Sequence, residues 1–128
     1  MVSKQRKEII LVFILAIVSY SPSIPADFTF DDRPAILENK DVTEVLNLKN
    51  ISEHLQRILR HDFWGSSIID HSTSHKSYRP FTVFTFALDN LIEQQTFQDL
   101  KCNLTYPCSP ILFHLNNVVI HVLNTVLF

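Results

Sequence analysis

Two stretches without a charged side chain, one near each end, constrain the fold of this chain most strongly. The first, Ile9–Ala26, follows the basic residues Lys4, Arg6 and Lys7, and the second covers residues 102–128. A polar segment separates them. We expect a mainly α-helical, polytopic membrane protein fragment, in which two membrane helices flank a loop that carries short amphipathic helices.

The first apolar stretch can be interpreted as an anchor or as a signal peptide. Its core, Ile9–Val18, has the length of a signal-peptide core, whereas the run to Ala26 is just long enough to span a bilayer. Ile24-Pro25-Ala26 lacks the small residue that begins a cleavage site, which favours an uncleaved anchor. The expected order is a cytosolic N-terminus at 1–8, a first membrane helix at 9–26, a lumenal loop at 27–110 and the start of a second membrane helix at 111–128.

The second apolar stretch ends without a charge, a glycine or a polar tail. This pattern predicts that the chain is the N-terminal piece of a longer polytopic protein. The net charge of −2 argues against nucleic-acid binding. Gly65 is the only glycine, so glycine-rich phosphate loops are excluded.

Sequons and cysteines favour a lumenal location for the polar segment. Asn50-Ile51-Ser52 and Asn103-Leu104-Thr105 match the N-glycosylation pattern, so Asn50 and Asn103 are candidate acceptors. Cys102 and Cys108 flank the second sequon and can form a disulfide in an oxidising compartment. Two unpaired thiols are the alternative.

Two short amphipathic helices are predicted in the loop. Apolar residues recur at helical spacing from Ile51 to Leu59, and Pro80 suits the first turn of a second helix. A strand over Phe81–Phe86 is the alternative for the second segment. Its apolar face is expected to lie on a membrane or under a helical bundle; this face comprises Phe81, Phe84, Leu88, Leu91 and Ile92, and the opposite face comprises Thr82, Thr85, Asp89 and Glu93.

Asp31 and Asp32 are the first candidate site. They form an adjacent pair just beyond the first apolar stretch, on the side away from the basic flank. A carboxylate at this position can act as a general base. The alternative is a solvated turn in which one of the two acids caps a helix or pairs with Arg33.

Two further groups of residues are candidates for binding. His75, Lys76 and Arg79 offer cations and donors that suit a phosphate, although the same residues can belong to an ordinary surface loop. His71 and His75 are four residues apart, but no third ligand is suitably spaced, so we expect no metal site.

His114, Asn117 and His121 recur along one face of the second apolar stretch, followed by Asn124. Polar side chains in a membrane helix normally face protein or a water-filled cavity. They can form the polar wall of a substrate site or hydrogen bonds between helices, and the two roles are compatible.

Several blocks in one order resemble a known family. Phe28–Ile36, Asn39–Val42, His61–Gly65, Ser74–Pro80 and His114–His121 are similar to the first lumenal loop and next membrane helix of the transmembrane and tetratricopeptide-repeat-containing O-mannosyltransferases. The resemblance covers nearly the whole chain from Phe28 onward. The stretch Glu93–Pro110 departs from the family pattern because it is longer.

The resemblance implies an enzyme of the endoplasmic reticulum membrane, within the C-type glycosyltransferase superfamily. Such an enzyme moves mannose from dolichyl-phosphate-mannose to Ser or Thr of lumenal or secreted clients, cadherins among them, with inversion and without a cofactor. The family's catalytic acid matches Asp31 or Asp32, and Lys76 or Arg79 can steady the leaving phosphate. The implied partners are membrane lipid, the lipid-linked donor and the client proteins.

Two alternatives to a catalytic role remain open at this stage. The chain can be a non-catalytic lumenal or membrane interaction module, or a truncated relative that binds membrane partners. Because a lipid-linked donor needs several helices around it, we expect the 128 residues alone to be inactive.

Overall fold

A computed structural model describes residues 4–44, 49–70, 72, 74–96 and 109–127. Within these ranges the chain is mainly helical, as predicted. A 3-10 turn, Ser21–Ser23, follows the first helix, and a π-helical turn, Arg33–Leu37, precedes the second. The α-helices are α1 Lys4–Tyr20, α2 Lys40–Thr43, α3 Ile51–Arg60, α4 Pro80–Thr96 and α5 Ile111–Leu127.

The chain divides into two compact units. The first, the terminal unit, comprises Met1–Asp27 and Pro110–Phe128, and the second, the central unit, comprises Phe28–Ser109. The predicted boundaries at residues 8, 26 and 110 divide the chain by its position relative to a membrane, whereas the two units are defined by internal contacts. They stay predictions.

In the terminal unit, α1 and α5 pack together through a small apolar cluster. Ala16 of α1 and Val118 and Val122 of α5 are its buried residues, and Ile24 packs against it. Most other apolar side chains of these helices remain exposed; Leu15 and Leu123 are 55% and 56% exposed. Large exposed apolar surfaces generally mark contacts with protein or lipid.

The prediction of two membrane helices is not supported. Both segments are helical, but α1 and α5 have 17 residues each. At a rise of about 1.5 Å per residue, a helix of this length falls short of a hydrocarbon core of about 30 Å. Across the described ranges, no helix has the length and apolar character that crossing a membrane requires.

In the central unit, α4 packs against α2 and α3. The helical prediction from Pro80 is confirmed, and the alternative of a strand is wrong. The predicted division into faces is also wrong, because Asp89 and Glu93 are buried whereas Phe81 is 85% exposed. Partners for the polar groups explain the difference: the Glu93 carboxylate accepts a hydrogen bond from the Ser109 amide.

A second polar contact fixes the buried side of α4. Asn90 is 1% exposed, and its Nδ2 donates to the Val42 carbonyl at 2.7 Å. A buried amide is tolerated when it is hydrogen-bonded. Val83 and Ala87 lie on the same side of the helix and are buried with it. The central unit is therefore held by small apolar side chains together with satisfied polar groups.

Candidate functional site

The structure distinguishes the two adjacent carboxylates, Asp31 and Asp32. The Asp32 amide donates to the Thr29 carbonyl at 3.0 Å, which closes a turn. Asp32 Oδ2 accepts hydrogen bonds from the Thr29 amide at 2.7 Å and from its hydroxyl at 3.1 Å. Asp31 is exposed, and its carboxylate has no partner among the described residues. Asp32 therefore shapes the turn, and Asp31 is open to a ligand.

The turn is anchored from its C-terminal side. Ala35 and Ile36 in the π-helical turn are each 3% exposed, and the Ala35 amide donates to the Asp31 carbonyl at 3.3 Å. The ion pair with Arg33 that a simple solvated turn allows is not formed by either carboxylate in the described part of the chain. Buried apolar side chains thus fix the backbone that presents Asp31.

A buried ionic cluster lies next along the chain. Asp41, 1% exposed, pairs through Oδ1 with Arg57 Nε at 2.8 Å and through Oδ2 with His61 Nδ1 at 2.6 Å. Arg57 also pairs with Glu44. The His54 ring lies 2.9 Å from the Asp41 carbonyl through Nε2. These contacts, made by side chains of α3 and of the residue that follows it, hold α2 against α3.

The carboxylates around Arg57 keep it charged. Burial on its own lowers the pKa of this guanidinium. The hydrogen bond and charge of Glu44, and the charge and hydrogen bond of Asp41, outweigh burial and raise the pKa of Arg57 above its usual value. Arg57 is thus a permanent cation in the cluster.

Asn39 and Gly65 bring the cluster close to the segment after α3. Asn39 Oδ1 accepts from the Asp41 amide at 2.9 Å as the cap of α2, and its Nδ2 donates to the Phe63 carbonyl at 3.2 Å. Gly65 has a φ of +80°, and a Cβ there would lie 2.5 Å from Asn39 Oδ1. The single glycine of the chain is therefore required by both backbone conformation and space.

Asp62 organises the loop that follows. Its Oδ1 accepts from the Trp64 and Ser66 amides, each at 3.0 Å. Its Oδ2 accepts from the Ser74 hydroxyl at 2.7 Å and from the His75 amide at 3.1 Å. Burial alone raises the pKa of Asp62, but these four hydrogen bonds outweigh it and lower the pKa below its usual value. The buried, ionised carboxylate thus fixes the start of the His75–Arg79 segment.

The cations of that segment are presented at the surface. Lys76 has a left-handed backbone, with φ 56°, and its side chain is exposed. The Arg79 guanidinium lies over the Phe63 ring, 5.1 Å from its centroid. In the described structure no hydrogen bond or ion pair joins this segment to Asp31 or Asp32. The phosphate-binding role of His75, Lys76 and Arg79 stays a prediction.

Replacing Asp62 by Asn is expected to weaken the fold in a pH-dependent way. The pKa of Asp62 in the folded chain lies below its unfolded value of about 3.9. The stabilisation that the ionised carboxylate gives the fold is therefore complete above the unfolded value and is lost as pH falls through the folded pKa. The gap in thermal unfolding midpoint between the native chain and Asp62→Asn should therefore narrow below about pH 4. Glu53→Gln, which changes an exposed acid on α3, serves as the control. A constant gap down to pH 2 would contradict the assignment.

The predicted polar face of the last helix lies within α5. His114 and His121 are partly buried, whereas Asn117 is exposed. His121 stacks on Tyr20, with ring centroids 3.7 Å apart, and its Nε2 lies 3.4 Å from the Thr125 hydroxyl. The observed contacts of His121 thus join helices, while a substrate-facing role stays a prediction.

The predicted glycosylation sites and the predicted disulfide fall on different parts of the chain. Asn50 is exposed at the start of α3, and its side chain makes no capping hydrogen bond. Attachment of a glycan to this side chain would therefore break no cap of the helix. Asn103, Cys102 and Cys108 lie outside the described residues.

Sequence reasoning did not assign roles to Asp41, Arg57, His61 and Asp62. Asp41, His61 and Asp62 stand within the blocks that carry the family resemblance, and this was the available signal. Arg57 lies outside those blocks on an ordinary amphipathic helix, so its sequence context gave no sign of a buried partner.

Curated proteins similar to the chain were found by comparison. Mouse protein O-mannosyl-transferase TMTC3 is 36% identical over 122 residues, which is 95% of this chain and 11% of that protein. Drosophila melanogaster protein O-mannosyl-transferase Tmtc1 is 39% identical over 87% of this chain and 10% of its own length. Human protein O-mannosyl-transferase TMTC4 is 36% identical over 88% of this chain and 12% of its own length.

The match extends over nearly all of this chain but only a small part of each relative. With 122 of the 128 residues matched, the aligned stretch includes both carboxylates of the Asp31–Asp32 turn and the His75–Arg79 segment. No protein-family model matches the chain, and no solved structure matches it.

Proposed function

Because the chain belongs to the family of the TMTC protein O-mannosyl-transferases, we propose that it forms part of an enzyme that moves mannose from dolichyl-phosphate-mannose to Ser or Thr hydroxyls. The match to relatives with this name over 95% of the chain carries the proposal. The chain spans about 11% of such a relative, so the complete site is assigned to a longer protein, called here the whole protein.

Asp31 is the proposed general base. Its exposed carboxylate takes the proton of the acceptor hydroxyl while the hydroxyl oxygen attacks the anomeric carbon and the lipid phosphate leaves. Attack opposite the leaving group inverts that carbon. The support is the contrast within the pair: Thr29 occupies Asp32 Oδ2, whereas Asp31 has no such partner in the described structure.

The leaving phosphate is assigned to the His75–Arg79 segment. Lys76 and Arg79 supply two exposed cations, and Asp62 holds the start of the segment through hydrogen bonds. Charge-assisted hydrogen bonds from Lys and Arg are suited to phosphate oxygens. A substrate-binding role is a separate proposal for the polar residues of α5, His114, Asn117 and His121.

The proposed location is the endoplasmic reticulum membrane, with the central unit in the lumen. Support comes from the extensive exposed apolar surface of α1 and α5, which favours contact with lipid or with further helices. The exposed Asn50 sequon is compatible with a lumenal position. Clients are proposed to be lumenal or secreted proteins, cadherins among them.

The donor assay tests the proposed function. The purified whole protein in nanodiscs is incubated with a Ser/Thr peptide and with either labelled dolichyl-phosphate-mannose or labelled GDP-mannose. We expect transfer from the lipid-linked donor alone, and no transfer by the 128-residue chain by itself. Transfer from GDP-mannose, or the absence of transfer from both donors, would contradict the proposal.

A further inference from the structure

A polar pocket of about 340 Å³ lies beside the buried ionic cluster of the central unit. It is apart from the residues assigned to mannose transfer, because neither Asp31–Asp32 nor the His75–Arg79 segment lines it. Its size falls within the range usual for small-molecule sites. The lining residues are Glu38, Lys40, Asp41, Arg57, His61, Trp64 and Gly65.

The His61–Asp41 pair gives the pocket a ring nitrogen for a ligand. Asp41 is buried and accepts from His61 Nδ1 at 2.6 Å, so the proton of a neutral His61 resides on Nδ1. Nε2 then has a free lone pair, and in the described structure no hydrogen-bond partner occupies it. A ligand hydroxyl is a suitable donor to this nitrogen.

The charges of the lining argue against an anionic ligand. Glu38 and Asp41 contribute two carboxylates, and Lys40 and Arg57 contribute two cations, so the formal charges cancel when His61 is neutral. Arg57 is already paired with both Asp41 and Glu44. With Asp41 paired as well, a phosphate would face the exposed Glu38 carboxylate and would find Lys40 as the one lining cation without an ion pair in the described structure. An uncharged ligand avoids this repulsion.

Donors, acceptors and an aromatic ring line the pocket together. A hydroxyl both donates and accepts, so a ligand with several hydroxyls can use Lys40, Glu38 and His61 at once. Trp64 also lines the pocket, and an indole ring can pack on the C–H groups of a sugar. Gly65, which is restricted by its φ of +80° and by Asn39, keeps the neighbouring wall free of a side chain.

We propose that the pocket between α2 and the His61–Gly65 segment binds an uncharged hexose unit, with His61, Lys40 and Trp64 as its principal contacts. The site is independent of the mannose-transfer reaction, because its residues are separate from Asp31 and the His75–Arg79 segment. The hexose is either a free sugar or the terminal unit of a glycan, since both present the same ring and hydroxyls.

The test uses proton saturation-transfer difference NMR on the whole protein in nanodiscs, with methyl α-mannopyranoside as the probe. We expect saturable binding with a dissociation constant on the order of 1–10 mM. Lys40→Met and His61→Gln should each weaken binding about tenfold, the effect of losing one good hydrogen bond. Lys7→Met, which makes the same change on the exposed side of α1, should leave it unchanged.

Two further arms complete the test. A saturating concentration of dolichyl-phosphate-mannose should leave hexoside binding unchanged, and a mannosylated Thr peptide that binds more tightly than the hexoside identifies a glycan as the source. Inorganic phosphate serves as the anionic probe and is followed by phosphorus NMR. We expect no saturable phosphate binding that is present in the native protein and lost in Lys40→Met.

Three results would overturn the proposal. They are the absence of hexoside binding, equal binding by the native protein and both pocket variants, and displacement of the hexoside by dolichyl-phosphate-mannose. The last result would locate the hexoside at the reaction site and would leave the proposed transfer function intact. If the donor assay fails but hexoside binding is retained, the proposed transfer function is wrong and the hexose site is kept.

Discussion

Replacing Asp31 by Asn in the whole protein is expected to lower mannose transfer by about 10² or more, because Asn keeps the size of the side chain but cannot accept the hydroxyl proton. The same change at Asp32 should have a smaller effect, about tenfold or less. Its remaining amide oxygen can still accept from the Thr29 amide and hydroxyl that now bond Asp32 Oδ2. Turnover is measured with dolichyl-phosphate-mannose and a Ser/Thr peptide.

The paired variants provide their own control for folding. Both carry one Asp→Asn change in the same turn, so a general loss of structure should affect them similarly. Near-native turnover in Asp31→Asn, Asp32→Asn and the double variant would show that the base is elsewhere. A larger loss for Asp32→Asn than for Asp31→Asn would reverse the two roles.

Arg57→Met is expected to produce the largest loss of stability in the central unit. Asp41 would remain buried with the His61 ring as the remaining side chain beside its carboxylate, and Glu44 would lose its partner as well. Leaving a buried carboxylate without one of its ionic partners costs about 3 kcal/mol. The expected result is a clearly lower thermal unfolding midpoint for the chain in detergent micelles, followed by circular dichroism.

Arg60→Met is the matched control, because Arg60 is exposed on the same helix and the structure gives its side chain no ionic partner within the described ranges. A surface change of this kind usually shifts the free energy of unfolding by less than about 0.5 kcal/mol. Equal midpoints for the two variants would show that the buried cluster does not stabilise α2 against α3.

Helices α3 and α4 were predictable because local signals suffice for them. Apolar residues from Ile51 to Leu59 recur at the helical period, and Pro80 is compatible with a first turn. The buried face of α4 was not predictable, since it depends on partners distant in sequence. Asn90 bonds the carbonyl of Val42, 48 residues away, and Glu93 accepts from Ser109.

The candidate site was predictable only as a set of residue types. The sequence indicates that Asp31 and Asp32 are adjacent acids beyond an apolar stretch, but both have the same local pattern. Only the fold reveals that Thr29 engages Asp32 and leaves Asp31 open. The ionic cluster of Asp41 and Arg57 was missed for a related reason: an acid and a base 16 positions apart give no periodic signal of a buried pair.

In the proposed mechanism, Asp31 removes a proton from the acceptor and does not hold the donor. Equilibrium binding of dolichyl-phosphate-mannose, measured on native whole protein and on Asp31→Asn in nanodiscs beside the transfer rate, tests it most directly. We predict donor affinity within about twofold of native while transfer falls by about 10² or more. A loss of affinity that matches the loss of transfer would contradict the claim, because Asp31 would then act in donor binding.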